Sequence, residues 1–250
     1  MKSLITIVGE TGSGKSALAM KLAKRFDGEI ICADSRTVYK GLDIGTAKPT
    51  ASEQSTVPHH LVDIITPEQA FNAAEFKRLA NQAIKEISAR GKFPIMVGGT
   101  GLYIDSVLFD YQFANSNGER DPVNLRHIKD GQAPNFNKIR PNTLIIGLSP
   151  EREDLKQRIH KRTQAMLAKG LINEVQGLSN RYGWGAAGLQ TIGYKEFQHA
   201  TDISSAVAEI ERNTILYAKR QRTWFKRNKH IHWLDRPSKA IDIVTTFLNT

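Results

Sequence analysis

Cysteine is almost missing from this chain: Cys32 is the only one in 250 residues. A single thiol excludes an internal disulfide and suits a reducing, cytoplasmic setting. Long apolar runs are missing too, and apolar residues make up only 40% of the chain, so no membrane span is predicted. The start, Met1-Lys2-Ser3-Leu4-Ile5, runs straight into an apolar stretch and leaves no room for a leader peptide. No internal repeat or low-complexity tract stands out. Acid is scarce: 25 Asp and Glu face 35 Lys and Arg, a net charge of +10. Such an excess is unusual for an enzyme of small metabolites and points to a polyanionic partner. A basic surface that serves only solubility is the plain alternative. The length fits one domain, or one domain with a small appendage.

What is present is led by Gly9-Glu10-Thr11-Gly12-Ser13-Gly14-Lys15-Ser16, a full match to G-x-x-x-x-G-K-[ST]. The apolar run 4–8 precedes it and a helical pattern over 17–24 follows. Strand, glycine loop and helix together make a phosphate cradle, the P-loop. Glycines let successive N–H groups converge on one anion, and the helix N-terminus adds partial positive charge. Lys15 supplies a mobile point charge and the Ser16 hydroxyl is placed to ligate Mg²⁺.

Downstream, 29–33 reads as a strand ending at Asp34-Ser35, followed by a polar, glycine-dotted stretch over 36–49 and a long loop. Residues 59–65 read as a short strand. Thr66-Pro67-Glu68-Gln69 has the form of a capping box with Pro at the first helical position. Residues 75–90 carry helical apolar spacing and stop at Gly91. Residues 94–97 are a buried strand ending in Gly98-Gly99-Thr100-Gly101, and 102–109 a helix. Polar stretches at 115–122 and 129–135 make 112–142 a connector or reduced insertion. The strand pattern resumes over 144–148. Helices are predicted from Ser149-Pro150-Glu151 to Lys169, around 172–178, over 204–227 and over 238–248, with a last strand at 231–234. Alternating strands and helices behind a P-loop imply an α/β fold, a parallel, doubly wound sheet flanked by helices. Ligands belong at the carboxyl ends of its strands. The P-loop, Asp34-Ser35 and Gly98-Gly99-Thr100-Gly101 all end there and are expected to share one pocket.

An ordinary P-loop NTPase ends an apolar strand in an Asp that serves Mg²⁺. Here the strand at 95–97 ends in glycines, and the carboxylate comes from Asp34. That argues against ATP hydrolysis and is compatible with a kinase-like transferase in which Asp34 accepts a proton; a turn or cap role for Asp34 is the plain alternative.

The stretch Asp34-Ser35-Arg36-Thr37-Val38-Tyr39-Lys40-Gly41-Leu42-Asp43-Ile44-Gly45-Thr46-Ala47-Lys48-Pro49 resembles the signature of the tRNA dimethylallyltransferases. So do Pro58-His59-His60-Leu61-Val62-Asp63, Gly98-Gly99-Thr100-Gly101-Leu102-Tyr103-Ile104, Gln190-Thr191-Ile192-Gly193-Tyr194-Lys195-Glu196 and the block from Tyr217 to Arg227. The blocks keep the family's order and cover most of 1–110 and 144–235. The resemblance implies a P-loop NTPase-like fold in three parts. These are a core over 1–111, a reduced insertion over 112–142, and the rest of the core with a basic helical tRNA-binding region over 143–250. It implies transfer of a dimethylallyl group from dimethylallyl diphosphate to the exocyclic amine of the adenosine 3′ to the anticodon, with Mg²⁺ as cofactor. The family's roles then fall on Asp34 as general base and on Thr100 near acceptor and diphosphate. Arg220 is carried over to the leaving group, with Gly9 to Ser16 on the diphosphate. Asp34, Ser35, Arg36, Thr37 and Thr100 would meet the anticodon stem-loop, with Arg222, Lys226 and Arg227 on its backbone. The expected state is a cytoplasmic monomer.

The basic stripe from Arg212 to Lys229 holds no acid, which fits RNA phosphates. Trp224 and Phe225 within it are either stacking platforms or core. The chain departs from the family at Thr37, where Gln is usual, and at Ile215, where Arg is frequent. The 112–142 insertion is also much shorter, with 121–126 resembling one tRNA-contacting segment. Transfer to free adenylate, a small-molecule kinase and a non-catalytic RNA-binding remnant are the competing readings.

Overall fold

The computed structural model describes residues 3–113 and 138–249. The expected polar segments at 115–122 and 129–135, and the likeness at 121–126, lie outside those residues. Six strands form one parallel sheet: β1 (Leu4–Gly9), β2 (Gly28–Ala33), β3 (His59–His60), β4 (Phe93–Gly98), β5 (Thr143–Leu148) and β6 (Ile231–Leu234). Their spatial order is β3-β2-β4-β1-β5-β6. The central strands are apolar on both faces because helices cover both sides, as parallel sheets require. Alternation divides the core in two. Leu4, Val8, Ile31, Met96 and Ile145 join one cluster, while Ile5, Ile7, Ile30, Val97 and Ile146 join the other.

The helices are α1 (Lys15–Phe26), α2 (Ala51–Thr56), α3 (Ala73–Ala89), α4 (Gly101–Leu108), α5 (Arg152–Ala168), α6 (Leu171–Tyr182), α7 (Ile203–Phe225) and α8 (Ala240–Leu248). None among the described residues is long and apolar enough to cross a membrane. Chain order and strand order diverge at β1: β2 and β4 lie on one side of it, β5 and β6 on the other. A crevice opens at such a switch point, and the P-loop sits in it.

Four local expectations are corrected. The run at 59–65 pairs as a strand only at His59–His60, because Leu61 and Asp63 adopt left-handed backbone (φ 63° and 56°) that no strand accommodates. Thr66 to Gln69 forms a closed turn, with the Gln69 side chain accepting the Thr66 N–H at 2.7 Å. The helix begins later, at Ala73, where the Asn72 side chain accepts from Glu75 N–H at 2.9 Å. The loop after Pro49 contains a helix, α2, capped by a reciprocal Thr50–Glu53 box. Thr-x-x-Glu was the readable sign of it. The final helix starts at Ala240 after one 3₁₀ turn, Pro237–Lys239.

Candidate active site

The P-loop bends where Gly12 and Gly14 take φ of 86° and 91°, values open to glycine at no steric cost. Ser13 N–H closes the turn on the Glu10 carbonyl at 3.0 Å. The first turn of α1 holds no acid, so nothing offsets the helix dipole that attracts an anion there. Lys15 Nζ donates to the Glu10 carbonyl at 3.2 Å. Burial drives its pKa from 10.5 down to about 8; Asp34 and Glu10 pull it back up, while Arg162 and Arg36 push it lower. A cation held this reluctantly gains from a bound anion.

Asp34 follows β2 and stands over the same cavity, of about 230 Å³, as Thr11, Lys15 and Ser16. Only β4 lies between β2 and β1. Gly98 at the end of β4 makes the approach possible: a Cβ there would sit 1.9 Å from the Ala33 carbonyl oxygen. The Asp34 carboxylate accepts Arg36 N–H at 3.0 Å, and Thr37 Oγ1 donates to the Asp34 carbonyl at 3.4 Å. Thr100 Oγ1 accepts Ser35 N–H at 3.0 Å, tying the turn after β4 to the turn after β2. Arg36 and Thr37 line the cavity, and Ile30, Cys32 and Val97 form its apolar floor. Burial pushes the Cys32 thiol up to about 12, so it is a protonated wall group and no nucleophile.

Of the cavity residues not named as site residues from the sequence, two bear most on its polar side. Arg162, from α5, lines the cavity and donates to the Thr46 carbonyl at 3.3 Å. Burial and the cationic Arg36 lower its pKa, against the pull of Asp34. It was lost among the basics of α5, yet it lies three residues after buried Ile159 and next to buried Thr163; that inward helical face was the available sign. Thr46, the second, also lines the cavity, and its loop is fixed by Glu174 of α6. The Glu174 carboxylate accepts the N–H groups of Asp43, Ile44 and Gly45 at 3.1, 2.9 and 3.1 Å, and the Tyr194 hydroxyl at 2.6 Å.

The last block lies on α7 and is sorted by helical facing. Gln221 is buried: its Oε1 accepts Thr11 N–H at 2.8 Å and its Nε2 donates to the Gly99 carbonyl at 2.9 Å. Tyr217 carries Arg36 on its ring at 4.4 Å and Arg220 at 5.6 Å. Arg220, expected at the leaving group, is exposed and does not line the cavity, because its position on α7 faces outward past Tyr217. Arg222, expected on RNA, turns inward: it pairs with Glu10 and donates to the Pro150 carbonyl at 2.7 Å. Trp224 and Phe225 are core. Phe225 is buried, and Trp224 Nε1 donates to Asp105 at 2.8 Å. Lys226 and Arg227 are exposed, with Arg227 stacked on Trp224 at 4.0 Å.

Known proteins resemble this chain in sequence and in fold. A family model described as IPP transferase matches residues 37–131 and 123–228. A tRNA dimethylallyltransferase of Staphylococcus epidermidis is 37% identical, over 98% of this chain and 92% of its own length. That of Bacillus pumilus is 38% identical, over 93% and 89%. The chain belongs to the tRNA dimethylallyltransferase family. Its fold agrees: a tRNA isopentenylpyrophosphate transferase structure from S. epidermidis superimposes with a TM-score of 0.84 at 36% identity, covering 100% of this chain and 99% of the other. A eukaryotic dimethylallyltransferase acting on tRNA gives 0.85 at 26% identity, over 100% and 80%. The fold is therefore P-loop NTPase-like, as expected.

Among the described residues no group of three His, Cys, Asp or Glu could hold a metal. A metal at this cavity would find few protein donors among the described residues and would rely on substrate oxygens. Ser16 suits that demand: it lines the cavity beside Lys15, and its side chain is exposed. Magnesium is commonly bound in this way, through one or two protein oxygens plus phosphates.

Proposed function

We propose that the chain transfers a dimethylallyl group from dimethylallyl diphosphate to the exocyclic amine of an adenosine, the one 3′ to the anticodon in tRNA. The observation that carries this is one cavity lined both by Thr11, Lys15 and Ser16 of the P-loop and by Asp34. The loop from Gly9 to Ser16 holds the diphosphate through Lys15 and through loop amides other than Thr11 N–H, which Gln221 engages. Ser16 would hold Mg²⁺ together with the phosphate oxygens, and the metal would supply charge stabilisation to the departing pyrophosphate. The allylic carbon–oxygen bond breaks, the carbon–nitrogen bond forms, and Asp34 takes the proton the amine sheds. Charge grows on the leaving oxygen, so preorganised cations there lower the barrier most. Arg162 faces the cavity and serves that charge directly. Arg220 serves it from the mouth, beyond the Tyr217 ring. The apolar floor of Ile30, Cys32 and Val97 takes the hydrocarbon tail.

The acceptor base leaves its stack to enter the cavity, at modest cost in a single-stranded loop. Arg36 and Thr37, which line the cavity, would receive it, with Ser35 and the Thr100 hydroxyl that holds it next in line. Thr100 orients Ser35 as well, so its role is partly positional. Lys226 and Arg227 face outward for the backbone of the anticodon stem-loop. Residues 1–111 and 143–250 build the core and its basic flank, with 112–142 as a reduced insertion. A reducing, cytoplasmic setting accords with the single buried thiol.

Labelled dimethylallyl diphosphate, Mg²⁺ and either tRNA or AMP provide the test. Label in tRNA is expected. Label in AMP alone would replace this reading with adenylate transfer. Asp34→Asn is expected to lower turnover by about two orders of magnitude or more while pyrophosphate still binds. Near-normal turnover in that variant would remove Asp34 from the role of base.

A further inference from the structure

Glu10 is a carboxylate inside an anion-binding loop, and it is 2% exposed. Left alone it would repel the diphosphate the loop is built to hold. It is neutralised from α7: Arg222 donates from Nε to one carboxylate oxygen and from a terminal nitrogen to the other at 3.4 Å. Ser149 Oγ adds a bond at 3.2 Å. Arg222 in turn donates to the Pro150 carbonyl at 2.7 Å, so both ends of the pair are anchored. The neighbouring α7 residue, Gln221, grips the next loop residue through Thr11 N–H at 2.8 Å and reaches Gly99 at 2.9 Å. Two consecutive residues of one helix thus hold two consecutive residues of a loop more than 200 positions away.

The hold bears on the reacting end of the loop. The Glu10 carbonyl closes the turn through Ser13 N–H at 3.0 Å and receives Lys15 Nζ at 3.2 Å. Moving Glu10 moves the point against which Lys15 is set. Thr11 N–H is engaged by Gln221, so it is withdrawn from the amides that face a phosphate.

We propose that Glu10 and Arg222, with Gln221 beside them, form a positioning clamp that sets the donor loop from α7. The same helix ends in the outward-facing Lys226 and Arg227 flank, so the clamp joins the donor site mechanically to the RNA side. The proposal rests on the reading of the P-loop as the donor-diphosphate site. Arg222 touches no reacting atom and acts through Glu10.

The test is calorimetric binding of pyrophosphate with Mg²⁺, alongside KM for donor and for tRNA. Arg222→Met strands a buried carboxylate next to the anion, and it is expected to weaken pyrophosphate at least tenfold and raise donor KM similarly, with tRNA KM within twofold. Glu10→Gln with Arg222→Met removes both charges and is expected to recover most of the lost affinity. Phe225→Leu, a core change on the same helix, is expected to lower Tm without moving pyrophosphate affinity. Should Arg222→Met not fold, Arg222→Lys and Gln221→Glu carry the comparison, each expected to weaken pyrophosphate by a smaller factor. Unchanged pyrophosphate binding in Arg222→Met or Arg222→Lys, or a rise in tRNA KM alone, overturns the clamp. Failure of the unsubstituted protein to bind pyrophosphate would instead overturn the donor-site reading beneath it.

Discussion

Replacing Lys15 by Met should stabilise the ligand-free protein while destroying its grip on the donor. Folding lowers the pKa of Lys15 from 10.5 to about 8, chiefly through burial. A base whose folded pKa is depressed destabilises the fold wherever it is charged, below about 8. That penalty fades as pH rises from about 8 to 10.5, because the folded state gives up its proton first. At ~1.4 kcal/mol per pKa unit the ceiling is about 3.5 kcal/mol. Lys15 keeps some accessible surface at the cavity mouth, and the substituted side chain forfeits the bond to the Glu10 carbonyl. After those discounts, about 2 kcal/mol is the working figure. For a chain of this size that corresponds to a Tm rise of roughly 4–8 °C. The assay is thermal unfolding of both proteins from about pH 7 to 10, without and with pyrophosphate. The Met variant should melt higher near neutral pH, the gap should close as the medium turns alkaline, and pyrophosphate should raise only the Tm of the unsubstituted protein. A Met variant that melts no higher near neutrality, or a gap constant with pH, would refute the reasoning.

Asp105 offers the opposite titration. Burial pushes its carboxyl up to about 6, against the bond from Trp224 and the charge of Arg227. Its charged form is therefore penalised above that pH and relieved as pH falls from about 6 toward 3.8. Asp105→Asn keeps an acceptor for Trp224 and should gain about 1–2 kcal/mol near neutral pH, an advantage that thermal melts in acid, at about pH 4, should no longer show. Gly98→Ala puts a methyl 1.9 Å from the Ala33 carbonyl oxygen. It should cost about 4 kcal/mol or more in urea unfolding, as backbone that cannot yield leaves no cheap escape. Joint Lys226→Ala and Arg227→Ala substitution should flatten the slope of log K for tRNA against log salt by about 1.4 to 1.8, measured by filter binding, with pyrophosphate affinity unchanged.

Much of the site was legible because its chemistry is local. The P-loop announces itself through contiguous glycines and Lys15-Ser16. Asp34 and Gly98 could be placed beside it because strand ends in a parallel sheet share one edge. Arg162 was not legible as a site residue: a guanidinium on a basic helix reads as solvated until the helix is docked. The inward turn of Arg222 was hidden for the same reason, since charge type says nothing about helical facing. The strand expected over 59–65 failed where left-handed backbone at Leu61 and Asp63 outweighed β-propensity.

The amino-acid sequence by itself determined the alternation of strand and helix, the anion loop, the lone thiol and the basic balance, since each depends on composition or on neighbours a few residues apart. Tertiary structure alone decided which of many cations enter the cavity and which are spent holding the loop. Those assignments turn on contacts between segments more than a hundred residues apart, and side-chain reach and burial settle them only once the sheet has closed.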